Sequence, residues 1–219
     1  MSENLPSNGR AAASCMIAAM FVVGCIDNFI VFIAETVSIW QFQALRAAIA
    51  LPLILGLSAF GAGSILPKRF WAVLLRSLFL TISMLFYFGS LAFMPMAQAL
   101  AGLFTSPIFV LLITAFVLGE KIGPIRVIAV SLGFLGILLV LNKGLIDLNI
   151  ISFLPVFGGV FYALAAVATR QLCEGESTLS LLTMLLVLQL LFGLVALIYL
   201  GIAGGDAAPG ADGFLTRPW

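Results

Sequence analysis

A polytopic α-helical membrane bundle is the fold class that three features of the sequence predict. Of 219 residues, 63% are hydrophobic and 9% charged. Soluble domains carry about 25% charged residues, so this chain lacks the charge to cover a water-facing surface. The apolar residues fall into about seven runs, each near the roughly 20 residues that cross a bilayer as a helix. None of the runs alternates apolar and polar residues as the strand of a membrane barrel must.

The first run, about 12–33, follows the polar tail MSENLPSNGR and holds Asp27. It is longer than the apolar core of a cleaved signal peptide, and further spans follow, so it reads as a retained helix. The second and third runs cover about 37–58 and 70–93, and the fourth about 96–118. On the fourth, Ala97, Ala101, Gly102 and Ser106 stand at the small-xxx-small spacing that lets helices approach closely. Pro107 removes one backbone donor early in that span, and Thr105 and Ser106 stand just before it to compensate. Gly119 reads as a C-cap, Glu120-Lys121 as the exit to water, and Pro124 as the opening of the fifth run, about 124–142. Gly133 and Gly136 thin that fifth helix. The sixth and seventh runs cover about 150–170 and 178–201. A polar loop, GGDAAPGADG, then leads into FLTRPW, which reads as the entry to another helix, and the chain is expected to be a fragment.

Lys and Arg set orientation, because cytoplasmic loops are enriched in them. Arg10, Lys68, Arg69, Arg76, Lys121, Arg126 and Arg170 fall on the side shared with the N-terminus, against Lys143 and Arg217 on the other. The N-terminus is expected in the cytoplasm, with the chain in the inner (plasma) membrane. Trp71 near one face, and Trp40 and Tyr199 near the other, are placed as interfacial anchors.

Several function classes are excluded. The chain has no histidine, which removes His–Ser–Asp catalysis, His proton relays and His-based zinc sites. Cys15, Cys25 and Cys173 are odd in number and stand at no metal-like spacing, so they read as small apolar packing residues. No cofactor or metal is expected. No helix carries two carboxylates on one face and no Gly-x-Ser-x-Gly occurs, so the chain does not read as an enzyme. A net charge of +1 without a basic run argues against nucleic acid.

An ionisable residue inside a span is a functional hypothesis by default, because it is costly there. Asp27 on the first span and Arg46 on the second differ in depth by roughly 4 to 5 Å at the helical rise. That is within an Arg side chain's reach, and the pair is expected to face the bundle interior. An Arg partner lowers a carboxylate's pKa while burial raises it. The pair thus reads either as a proton-exchange or anion-competition site, or as a static pair fixing helix register. Gln43, three residues before Arg46, shares its face. Asp27, Gln43 and Arg46 are the expected substrate or coupling residues. Tyr87 and Gln98 read equally as cavity lining or as helix–helix hydrogen-bonding groups. Glu35, Asp147, Glu174 and Glu176 read as solvated loop charges, and Glu120-Lys121 as a span boundary rather than a gate.

One ordered set of motifs adds a resemblance. Ala99-Leu100, Ser106-Pro107-Ile108-Phe109, Leu118-Gly119-Glu120-Lys121, Arg126 and Gly133 to Ile137 follow one another at short range. Together they resemble the central signature of the drug/metabolite transporter superfamily, EamA type. Tyr162-Ala163 and then Arg170 are similar to the start of that family's second repeat. The resemblance implies ten helices in two five-helix halves of inverted topology. Residues 1–142 would be the first half, and 143–219 an incomplete second half of two helices and a loop. It implies a secondary transporter, most often an exporter of small organic metabolites driven by proton exchange, working by alternating access. Its partners would be the lipid bilayer and a small-molecule solute, with proton coupling and a homodimer left open. The alternative is a truncated membrane protein that transports nothing, or a subunit that needs a partner chain.

Overall fold

The structure, a computed structural model, describes residues 13–22, 24–25, 37–61, 63–120, 122–141, 153–204 and 214–215. The described residues form helices and connecting turns: α1 (Ala13–Val22), α2 (Ile39–Ala59), α3 (Phe70–Ser90), α4 (Met96–Leu103), α5 (Ser106–Phe116), α6 (Pro124–Leu141), α7 (Leu154–Leu172) and α8 (Thr178–Ala203). Helices α2, α3 and α8, and α4–α5 counted as one span of Met96–Phe116, are long and apolar enough to cross a membrane. Helix α7 falls just short because Thr169, Arg170 and Gln171 occupy its last turn.

Local chemistry explains the helix ends. Ser38 caps α2 reciprocally: its hydroxyl accepts from the Gln41 amide, and its own amide donates to Gln41 Oε1. Ser177 caps α8 through the Leu179 amide, and Gly204 closes that helix in the left-handed conformation at φ 70°. Pro155 sits in the first turn of α7 and Pro124 opens α6, as the missing N–H allows. Gly119, at φ 65°, turns the chain out of α5.

The fourth predicted span is not one continuous helix. It breaks at Phe104–Thr105, and Pro107 falls in the first turn of the new helix α5 instead of inside a long one. The Thr105 hydroxyl donates to the Gly102 carbonyl at 2.6 Å, satisfying an acceptor left at the break.

Two antiparallel seams build the bundle. In one, α2 packs on α8 through Ala47, Ile54, Leu179 and Leu186. In the other, α3 packs on α7, with Phe79 against Phe161 and Phe86 against Phe157 and Phe161. There the Ser83 hydroxyl donates to the Gly158 carbonyl at 2.8 Å. Helices α4 and α7 meet where Gly102 lies against Pro155; a Cβ there would be 2.6 Å from Pro155 Cγ. Of the small residues singled out on the fourth span, Ala101, Gly102 and Ser106 are buried and Ala97 is exposed. The expectation for the fifth span is not met: a Cβ on Gly133 or Gly136 would meet no atom within 4 Å, so neither serves a close approach among the described residues.

Polarity is distributed the reverse of a soluble core. Ile17, Phe21, Leu45, Leu53, Ile125, Leu132, Val195 and Ile202 are exposed, while Gln43, Ser77, Thr81, Ser83, Ser90, Ser180 and Gln189 are buried. A lipid-facing apolar belt around polar contacts between helices is the arrangement a bilayer selects. Trp71 and Tyr199 stand on the exposed surface near opposite ends, as anchors do.

Candidate functional site

Arg46 lies about 10 Å along α2 from Ile39 at the helical rise, in the seam with α8. Its Nη2 donates to Gln43 Oε1 at 3.0 Å and to Gln189 Oε1 at 2.7 Å. The guanidinium also stands over the rings of Phe42 and Phe88, at 5.6 and 5.4 Å from their centroids. Those rings meet edge to face at 5.4 Å, and Tyr87 packs 5.1 Å from Phe88. A half-buried cation beside aromatic faces is held by the ring quadrupoles as well as by hydrogen bonds.

Helix spacing makes this junction possible. Gly193 is one turn beyond Gln189 and lies directly against α2: a Cβ there would be 2.8 Å from the Trp40 carbonyl and 3.0 Å from Ala44 Cβ. A larger residue would hold α8 away and take Gln189 out of reach of Arg46. Beyond Gly193, the Trp40 indole N–H donates to the Leu215 carbonyl at 2.9 Å and ties that end to residues near the C-terminus.

The two amides are locked by elimination. A guanidinium offers only donors, so each glutamine must turn its oxygen toward Arg46 and its NH2 away. Both side chains are 1% exposed, and neither Nε2 has a hydrogen-bond partner among the described residues. A buried donor left unmet costs about 1–3 kcal/mol. The junction therefore holds two donors in fixed directions with nothing to donate to.

Of the residues expected to form the site, the structure brings Gln43 and Arg46 together. Asp27 lies outside the described residues, and so does the expected Asp27–Arg46 pair. Gln189 was not anticipated; its signal was a lone amide in an otherwise apolar helix, four residues before a glycine. Trp40 is half-buried in the seam and hydrogen-bonded, more engaged than an interfacial anchor needs to be.

A second polar region lies in the other seam, nearer the opposite end. Arg76 Nε donates to Thr169 Oγ1 at 3.0 Å and its Nη1 to the Leu181 carbonyl at 3.4 Å. Arg76, Leu80, Tyr162, Ala165, Ala166 and Thr169 line a cavity of about 270 Å³ there. A larger groove of about 660 Å³ between α5 and α6 is apolar apart from Ser131, so it offers a polar solute almost nothing.

The loops at that end are bound together by carboxylates, which corrects the reading of Glu176 as a solvated charge. Glu176 accepts from the backbone amides of Lys68 and Arg69 at 3.0 and 2.6 Å, and so ties its own loop to the segment that leads into α3. The Ser180 hydroxyl reaches it at 3.4 Å, and Lys68 Nζ donates to the Gly175 carbonyl at 3.0 Å. The Lys68 amide above all holds the Glu176 carboxyl below its ordinary range; desolvation opposes it, and the Arg69 amide and Ser180 hydroxyl add to the lowering. Glu120 does more than mark a boundary: it lies 3.6 Å from Arg170 and accepts from Gln171 at 3.3 Å. Glu35 and Asp147 lie outside the described residues.

Comparison with known proteins follows the same lines. The model of the EamA-like transporter family matches residues 10–142. A riboflavin transporter of Vibrio cholerae is 30% identical over 163 residues, 74% of this chain and 54% of that protein. One from Rhizobium johnstonii is 30% identical over 118 residues, 54% of this chain and 39% of its own length. One from Brucella anthropi is 26% identical over 152 residues, 69% and 52% of the two chains. The chain thus spans about half the length, or less, of the curated relatives it matches. No solved structure matches it at a significant level.

Proposed function

The chain belongs to the EamA-like transporter family, and from that premise we propose that it serves as a multi-pass secondary transporter of a small organic metabolite. The relatives named riboflavin transporters make riboflavin the first solute to test. The observation that carries the reading is the buried Gln43–Arg46–Gln189 junction between α2 and α8, walled by Phe42 and Phe88. Aromatic faces suit the flat part of such a solute, and fixed polar groups orient it.

In this reading the solute occupies the α2–α8 seam, and relative rocking of helix groups opens it to either side in turn. The Lys68–Glu176 and Glu120–Arg170 contacts join loops at one end. The Lys and Arg bias supports reading that end as the cytoplasmic one, with the N-terminus inside and the chain in the inner membrane. The resemblance sets export by proton exchange as the expected direction and coupling, with Asp27 as the proton-exchanging group and residues 1–142 as the first of two repeats. Completion of the path by a second copy or another chain is a separate proposal, suggested by the chain spanning about half the length of the relatives it matches.

The test is flux of radiolabelled riboflavin in proteoliposomes of both orientations, with and without an imposed pH gradient. Riboflavin movement above that of protein-free liposomes, lost in Arg46→Met, is the expected result. Flux equal to protein-free liposomes in every condition would sink the reading. Covalent crosslinking of the reconstituted protein shows whether activity tracks a dimer.

A further inference from the structure

The Gln43 and Gln189 amides are more specific than a generally polar lining. Resting on the transporter reading above, we propose that their two Nε2 groups are the solute-recognising donors. They take a flat heterocycle by neighbouring carbonyl or ring-nitrogen acceptors on its rim, with Arg46 as the positioning residue.

Three observations carry this. Both amides are almost wholly buried, on different helices, and both Nε2 groups lack partners among the described residues. The amide oxygens are accounted for by Arg46, but holding that cation requires only acceptors and does not account for the two NH2 groups. Their directions are imposed: one Arg46 Nη2 binds both oxygens, so both NH2 groups face away from the cation. Phe42 and Phe88 lie against the cation and the amide oxygens take its Nη2, so the Gln43 and Gln189 NH2 groups are the neutral donors that the junction directs away from it.

The chemistry of the ligand follows. A pair of outward donors calls for a pair of acceptors. The neighbouring rings favour a flat, polarisable body over a polyol, and two N–H donors do not match an ammonium, which has no acceptor to offer. A heterocycle with an imide or ring-nitrogen edge meets all three conditions, and the fused ring of riboflavin has such an edge. Binding requires the seam to part, because both amides are enclosed in the present arrangement.

The decisive variants are Gln43→Glu and Gln189→Glu. Each keeps an oxygen for Arg46 to donate to and stays ionised beside the guanidinium, but removes the outward donor. Binding to the purified full chain in nanodiscs is read from flavin fluorescence, with riboflavin, lumichrome (the fused ring without its side chain) and ribitol (the side-chain polyol, in competition) as probes. Riboflavin and lumichrome should bind the unaltered protein and ribitol should not compete. Each Glu variant should weaken both by about tenfold or more, as expected for a buried acceptor left unmet. Gln43→Met and Gln189→Met, which add no charge, replace the Glu variants if those fail to insert, with the same loss expected.

Glu or Met variants that bind lumichrome within about twofold of the unaltered protein overturn the assignment of the donors and leave the transporter reading standing. Competition by ribitol without binding of lumichrome overturns the heterocycle edge. An unaltered protein that takes none of the probes overturns this inference together with the choice of a flavin as solute.

Discussion

The α2–α8 and α3–α7 seams cross the same bundle, yet they are built on opposite terms. Between α3 and α7 the charged and aromatic groups are met: Phe79, Phe86, Phe157 and Phe161 stack, Ser83 reaches a carbonyl, and Arg76 has a hydroxyl and a carbonyl to donate to. The buried Ser77 and Thr81 hydroxyls on α3 lack a partner among the described residues. Between α2 and α8 the same kind of residue, an arginine in the seam, holds two amides whose NH2 groups have no partner among the described residues. Two buried amide donors left unmet lower the cost of parting that seam more than two hydroxyls do, and this is why the proposed solute path is assigned to it.

The sharpest way to break this comparison is Arg46→Met. Removing the cation leaves both glutamines buried with their oxygens unmet as well, at about 1–3 kcal/mol for each unmet group. Solute flux should fall to the level of protein-free liposomes. Arg76→Met should leave ligand affinity unchanged while lowering the thermal midpoint, and a matching loss of affinity would erase the distinction between the seams.

Gly193→Ala is expected to come next in size. Its Cβ would press on the Trp40 carbonyl and Ala44, costing about 1–3 kcal/mol by overpacking and separating Gln189 from Arg46. Thermal unfolding in detergent and lumichrome binding should both weaken. Phe86→Leu acts on the other seam and removes aromatic pairing of about 0.5–1.5 kcal/mol. Unfolding should come earlier, while lumichrome affinity stays within twofold.

The smallest effect is that of pH on the Glu176 latch. The folded carboxyl titrates below its ordinary value near 4.5. Its contribution to stability is therefore complete above that value and is lost as pH falls through the lower folded pKa. Glu176→Gln should lower the thermal midpoint slightly at pH 7, and the gap to the unaltered protein should narrow as pH falls below the ordinary value near 4.5. A gap that widens on acidification would contradict the assignment.

Much of this architecture was legible in the residues. Composition and run length dictate membrane helices, and Gly119 and Pro124 mark their ends through backbone conformation and a missing donor. Arg46 with Gln43 was found because a charge inside an apolar run is costly wherever it lies. Gln189 escaped because a neutral amide leaves hydropathy nearly unchanged, and only the fold puts it opposite Arg46. Glu176 escaped because its partners are backbone amides from another loop, which no sequence pattern displays. The break between α4 and α5 was hidden by uninterrupted hydropathy, and Gly133 and Gly136 misled because a glycine marks a close approach only where another helix arrives.

The two unmet amide donors also bear on kinetics. If a solute acceptor meets them, the closed carrier is favoured when loaded and penalised when empty. The unloaded protein must pass through that penalised form to reset. Resetting would then be the slow half of the cycle, and exchange of solute for solute would run faster than net movement down a gradient. Solute placed on the far side of a vesicle should accordingly speed flux from the near side.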